Sequence, residues 1–107
     1  MAAALEEAVA LGFRRILTSG GEATAEAGAG RIAALIGQAA GRIAVMPGAG
    51  VSARNVRDLM ALGAREVHGS CSLSVAVDWP GVTFGLGPAV ERRTDAAMVR
   101  AVKRAMV

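Results

Sequence analysis

The sequence predicts an α/β fold with parallel strands, on three observations. Short apolar, partly β-branched runs alternate with longer stretches of helical period. Glycines punctuate the exits of those runs. The two central units also repeat one pattern of strand, glycine-bearing loop and helix. Strands joined through helices imply right-handed βαβ crossovers, and the repeat is that of a (β/α) barrel.

The first element is a helix over Ala2 to Leu11, built from strong helix formers with Leu5, Ala8 and Val9 at helical spacing and Gly12 at its C-terminal end. Phe13 to Ser19 then reads as a short buried strand closed by Gly20 and Gly21. A second helix fits Glu22 to Ala40, with Ala25, Ala29, Ile32, Leu35, Ile36 and Ala39 on one stripe and Gly28, Gly30 and Gly37 weakening it. Arg42 to Met46 is the second strand and Pro47 to Gly50 its exit loop. Ser52 is the expected N-cap of a helix with core positions Val56, Leu59 and Met60, ended by Gly63. Arg65 to Cys71 makes a third strand. Between Ser72 and Pro88 only Val75–Val77 and Val82–Phe84 read as extended. Thr94 is then expected to cap a last helix with Met98, Ala101, Val102 and Ala105 on one side.

At 107 residues the chain makes one domain, burying roughly two-thirds of its unfolded surface. With 53% apolar and 20% charged residues it is no disordered tail, and its apolar runs are too short to span a bilayer, so no membrane role is expected. The N-terminus carries Glu6 and Glu7 and no basic stretch before an apolar run, and Cys71 is the single cysteine; both point to the cytoplasm. The net charge of +3 comes from scattered arginines, with Lys103 the one lysine and Phe13, Phe84 and Trp79 the only aromatic residues. Without a basic cluster or a stacking platform, no nucleic-acid partner is expected.

Several segments in order resemble the CutC family, named for copper homeostasis: Leu11-Gly12 with Arg15-Ile-Leu-Thr-Ser-Gly20, then Ile43 to Gly50 with its Met-x-Gly-x-Gly, Glu66-Val-His68 with Ser70, and Thr94-Asp95 with Val99-Arg100-Ala101. The resemblance is weakest between Ser72 and Glu91. It implies a TIM-type barrel more than twice this length, of which residues 1–107 form only the C-terminal part, beginning in the helix before the sixth strand. The chain is then a truncated product, a fragment, or a half-barrel that pairs with another copy. Open edges on buried-type strands predict self-association into a homo-oligomer.

In such a barrel the working face is the C-terminal end of the strands, and a phosphate site often lies in the last two loops. Gly48-Ala49-Gly50 and Gly69-Ser70 take those places. Glycines and the amides after Ser52 suit a small phosphate or carboxylate ligand, and a tight turn with nothing bound is the plainer alternative. No dinucleotide fingerprint is present. Thr18, Ser19 and Gly20 occupy the loop after the first strand, where their hydroxyls either meet a ligand or cap the next helix. Met46, His68 and Cys71 are the donor types copper(I) accepts. His68 and Cys71, three apart, converge only if the chain turns near Gly69; ordinary packing is the alternative for Met46 and Cys71. No carboxylate sits at a strand end beside His68, so no catalytic residue is assigned. Asp95 fits a helix N-terminus. The resemblance therefore implies copper handling without a reaction, while the residues themselves reach only a barrel-like fragment with an anion-friendly loop; an anion-binding, enzyme-like barrel mouth is the alternative.

Overall fold

The computed structural model describes residues 1–76, 85 and 90–107. Its elements are α1 (Ala2–Ala10), β1 (Arg15–Thr18), α2 (Ala29–Ala39), β2 (Ala44–Pro47), α3 (Val56–Ala61), β3 (Ser72–Ala76), β4 (Val90–Thr94) and α4 (Ala96–Ala105). No helix among the described residues is long and apolar enough to cross a membrane.

β1 and β2 pair in parallel, with Arg15 opposite Ala44 and Thr18 opposite Pro47. Side chains alternate across a strand, so Ile43, Val45 and Pro47 turn to one side while Ala44 and Met46 turn to the other. The first set is buried, the second half-buried. Among the described residues helices cover the Val45 side: Leu5 of α1, Ile32, Leu35 and Ala39 of α2, and Val56 and Leu59 of α3 form one core with Ile43, Val45, Ala25 and Val51. The mixed α/β character and the parallel βα units therefore stand. The expectation that β1 is a buried strand does not, because Leu17 is 56% exposed and Phe13 61% exposed.

α1 ends as the sequence predicts. Gly12 takes a left-handed φ of +83° and its amide bonds back to the Val9 carbonyl. α2 begins at Ala29 rather than Glu22. A turn precedes it, made by the Gly28 amide donating to the Thr24 carbonyl and the Ala27 amide to Thr24 Oγ1. The Ala25 amide meanwhile leaves for the Ala49 carbonyl at 3.0 Å. Gly28 is pressed against Ser19 and Gly20 so closely that a Cβ at Gly28 would collide with the Ser19 carbonyl oxygen. That contact sets where the helix starts.

The third strand expected at Arg65 to Cys71 does not form. The segment reaches β2 at one point, where the His68 amide donates to the Pro47 carbonyl at 2.9 Å. Below that bond it diverges, leaving a cavity of about 390 Å³ lined by Ile43, Val45, Gly63, Arg65 and Glu66 among others. The strand that does form is β3, which pairs antiparallel with β4, Ser72 opposite Thr94 and Ala76 opposite Val90. A second, antiparallel sheet was not expected from the sequence. Val75 lies in β3, whereas Val77 and Val82–Phe84 lie outside the described residues. Thr94 ends β4 and does not cap α4; Asp95 does, its carboxylate accepting from the Met98 amide at 3.1 Å. Met98, Ala101, Val102 and Ala105 share the half-buried side of α4 as predicted.

Candidate functional site

Parallel pairing brings the exits of β1 and β2 side by side, because Thr18 and Pro47 are register partners. The Gly48 amide donates to the Thr18 carbonyl at 3.0 Å. Thr18 Oγ1 accepts from the Gly20 amide at 3.0 Å, and Ser19 Oγ donates to the Glu22 carbonyl at 2.7 Å. Both hydroxyls thus hold the loop's own backbone. Gly48 is buried against Leu17, and a Cβ there would collide with Leu17 Cδ1 and stand 3.4 Å from His68 Cβ. His68 therefore sits beside the β2 exit with an exposed side chain.

Past Gly48 the backbone enters the left-handed region at Ala49 (φ +80°) and Gly50 (φ +71°). A non-glycine residue held there costs about 1 kcal/mol and persists only where its surroundings impose it. Here they do. The Ala49 carbonyl accepts from Ala25, and the Gly50 carbonyl accepts from Asn55 Nδ2 at 2.8 Å.

Asn55 is the residue that sequence reasoning missed. It is 3% exposed, and its Oδ1 accepts from the Ser52 amide at 2.9 Å while its Nδ2 takes the Gly50 carbonyl. Ser52 works one turn earlier than expected: its carbonyl accepts from Asn55 and Val56, and its Oγ from the Arg54 amide at 3.3 Å. The N-cap of α3 is Asn55, not Ser52. The spacing Ser-x-x-Asn ahead of an apolar run was the available signal. Because these bonds engage the amides of Gly48, Ser52, Arg54, Asn55 and Val56, the loop offers an anion chiefly the amides of Ala49, Gly50, Val51 and Ala53.

The segment after His68 runs along this loop, with a Cβ at Gly69 3.3 Å from the Val51 carbonyl oxygen and 3.8 Å from Cys71 Sγ. Cys71 adopts φ +48°, while residues 66–71 form neither a turn nor a bend. The thiol is free and half-buried, and the Cys71 carbonyl accepts from the Asp95 amide at 2.7 Å. Met46 lies on the side of the sheet away from Val45, paired with Leu17. Ser70 belongs to the ribbon, its Oγ 3.0 Å from Ser72 Oγ and its carbonyl accepting from Thr94 Oγ1. Among the described residues no three His, Cys, Asp or Glu side chains gather as a metal cluster.

The charges lie at the other end of the strands. Arg15, at the start of β1, reaches over Ala44 to Glu66, Nε to Oε2 at 3.0 Å. Glu66 is lowered from its usual carboxylate range by that hydrogen bond. Glu6 of α1 takes Arg42 in a two-pronged pair at 2.8 and 3.0 Å and accepts from Gln38. The Arg42 hydrogen bond holds Glu6 down at about 2. None of these bonds brings a carboxylate to His68, and the exits of β1 and β2 present a polar backbone loop beside the His68 imidazole.

The model of the CutC family matches residues 1–73. The CutC family protein of Sinorhizobium medicae is 47% identical over 104 residues, which is 95% of this chain and 42% of that protein. Its counterpart in Xanthomonas campestris pv. campestris is 50% identical over 103 residues, 92% of this chain and 42% of that protein. The one in Xylella fastidiosa is 58% identical over 73 residues, 67% of this chain and 27% of that protein. The chain thus spans about two-fifths or less of the length of the curated relatives it matches. With the family's model covering residues 1–73 and relatives matching nearly end to end, the chain belongs to the CutC family.

Proposed function

We propose that this chain serves copper homeostasis as the part of a CutC-type TIM barrel that carries its last loops, binding copper(I) without a reaction. Membership in the family supports the role. The observation that carries the site is the tie between neighbouring segments: the His68 amide donates to the Pro47 carbonyl, one residue past Met46, and a Cβ at Gly69 would lie 3.8 Å from Cys71 Sγ. Imidazole, thiol and the Met46 thioether are then the donors, and their softness selects copper(I) over harder cations. The test is anaerobic copper(I) titration of the chain beside Cys71→Ser, His68→Ala and Met46→Leu. One site per chain is expected, weakened about tenfold or more by loss of the thiol or the imidazole; equal binding by all four proteins sinks the assignment.

A second reading is a small phosphorylated or carboxylated ligand held at Gly48-Ala49-Gly50, with Thr18, Ser19, Gly20, Ser52 and Ser70 around it. The imposed left-handed Ala49 favours it, since such backbone positions gather at ligand sites. Amide chemical-shift changes confined to Ala49–Ala53 on adding inorganic phosphate support this reading, and unchanged shifts at millimolar phosphate remove it.

A further inference from the structure

One face of the β3–β4 ribbon carries a positive charge that no described carboxylate answers. Antiparallel partners share a face, so Ser72 with Thr94 and Ser74 with Arg92 lie on one side, and Leu73 with Arg93 and Val75 with Glu91 lie on the other. Glu91 keeps its ion pair with Arg93 on that second side. The Asp95 carboxylate is committed to α4, where it accepts from the Met98 amide. Among the described residues Arg92 therefore stands in no ion pair, and its partners are hydroxyls and a backbone carbonyl.

The Arg92 guanidinium lies across β3. Its Nε donates to Ser72 Oγ at 3.0 Å, Nη1 to Ser74 Oγ at 3.4 Å and Nη2 to the Ser72 carbonyl at 3.0 Å. Ser70 Oγ and Ser72 Oγ stand 3.0 Å apart, one donating to the other. What these bonds leave over is donors. Each Nη keeps a second N–H, Ser74 keeps its hydroxyl hydrogen, and the Ser70–Ser72 pair keeps one more. Thr94 adds none, because its hydroxyl donates to the Ser70 carbonyl.

We infer that this face binds a phosphoryl group: the Arg92 fork, flanked by the hydroxyls of Ser70, Ser72 and Ser74, takes the terminal oxygens of a small phosphate monoester. Hydrogen bonds from a guanidinium to an oxyanion are stronger than those it makes here to neutral hydroxyls. Three bonds already hold the Arg92 side chain in place, so a ligand has little left to order. A carboxylate offers its oxygens in one plane. A phosphoryl group offers more oxygens around one centre and more charge, which suits donors arriving from several side chains on two strands. The excess of positive charge in residues 90–107 draws anions to this end of the chain. The inference is independent of the copper reading and of the Gly48–Gly50 loop, since every donor here is a side chain.

The test titrates the chain with inorganic phosphate and with glycerol phosphate at constant ionic strength, following the Arg92 Nε–H resonance by NMR. A saturable shift is expected with both, and a much smaller one with acetate. Variants are compared through phosphorus NMR of glycerol phosphate. Arg92→Lys, which keeps the charge and loses the fork, is expected to weaken binding about tenfold. Ser74→Ala leaves both 3.0 Å bonds of Arg92 intact and is expected to weaken it about threefold. Arg93→Gln removes the same charge from the opposite face and is expected to leave binding unchanged. The proposal is overturned if the Arg92 resonance does not saturate, if acetate moves it as far as phosphate does, or if Arg93→Gln weakens binding as much as Arg92→Lys.

Discussion

The buried apolar side chains of the described core all lie at or before Ala64; the described residues after Cys71 contribute none, and α4 adds only half-buried ones. The first region closes one side of a parallel sheet under three helices. The second is a two-stranded ribbon followed by a helix, with all of β4 and most of β3 exposed. Its last 18 residues hold five basic and two acidic side chains, so the whole net charge of +3 resides there. Different forces therefore hold the two regions. Apolar burial fixes the first; the second is held by the half-buried Val102, Ala105 and Met106 at the end of α4 packed against that core and by polar contacts, chiefly Arg92 bridging Ser72 and Ser74 and the Asp95 cap. The family's model stops at residue 73, almost at the same boundary.

Substitutions sharpen this contrast, the largest effects coming from the first region. Gly28→Ala drives a methyl into the Ser19 carbonyl and is expected to cost about 3 kcal/mol or prevent folding, read by urea unfolding. Ile32→Ala and Leu59→Ala, both almost fully buried, should each cost about 2–5 kcal/mol, against about 1 kcal/mol for the half-buried Val102→Ala. Asn55→Ala strands the Ser52 amide and the Gly50 carbonyl, an expected loss of about 1–3 kcal/mol. In the second region Asp95→Ala should cost about 1 kcal/mol through the lost cap. Arg93→Ala, whose pair with Glu91 lies in solvent, should stay within about 0.5 kcal/mol.

The smallest effect is on pH. Glu6 is held at about 2, below its ordinary 4.5, so its contribution is complete above pH 4.5 and fades as the pH falls towards 2. The pair is exposed, so screening keeps that contribution small. A carboxyl titration of Glu6 by NMR that returns the ordinary value contradicts the Arg42 pairing.

What the sequence revealed follows the same division. α1, β2, α3 and the apolar side of α4 were legible because period and punctuation are local signals, as at Gly12 and Gly63. The parallel pairing followed from the order of those elements. The start of α2 was hidden, since it depends on the Gly20–Gly28 backbone contact between segments that a linear reading does not bring together. The third strand failed for a related reason: a strand exists by virtue of its partner, and Arg65–Val67 diverges from β2. Part of β3 was legible, since Val75–Val77 read as extended, but its pairing with β4 was missed because it joins residues as far apart as Ser72 and Thr94, and the exposed face of β4 shows no burial pattern. At the candidate site the sequence named the loop and His68. It could not show that Asn55, buried beneath the loop, holds its shape.

Native-state hydrogen exchange tests the central claim, that stability resides in the parallel region, most directly. The account predicts that the amides of Ala44, Met46, Ile32 and Leu35 exchange only through global unfolding, while those of β3 and β4 exchange through local opening at far lower free energy. Equal protection of both sheets, lost together in one cooperative step, would contradict it.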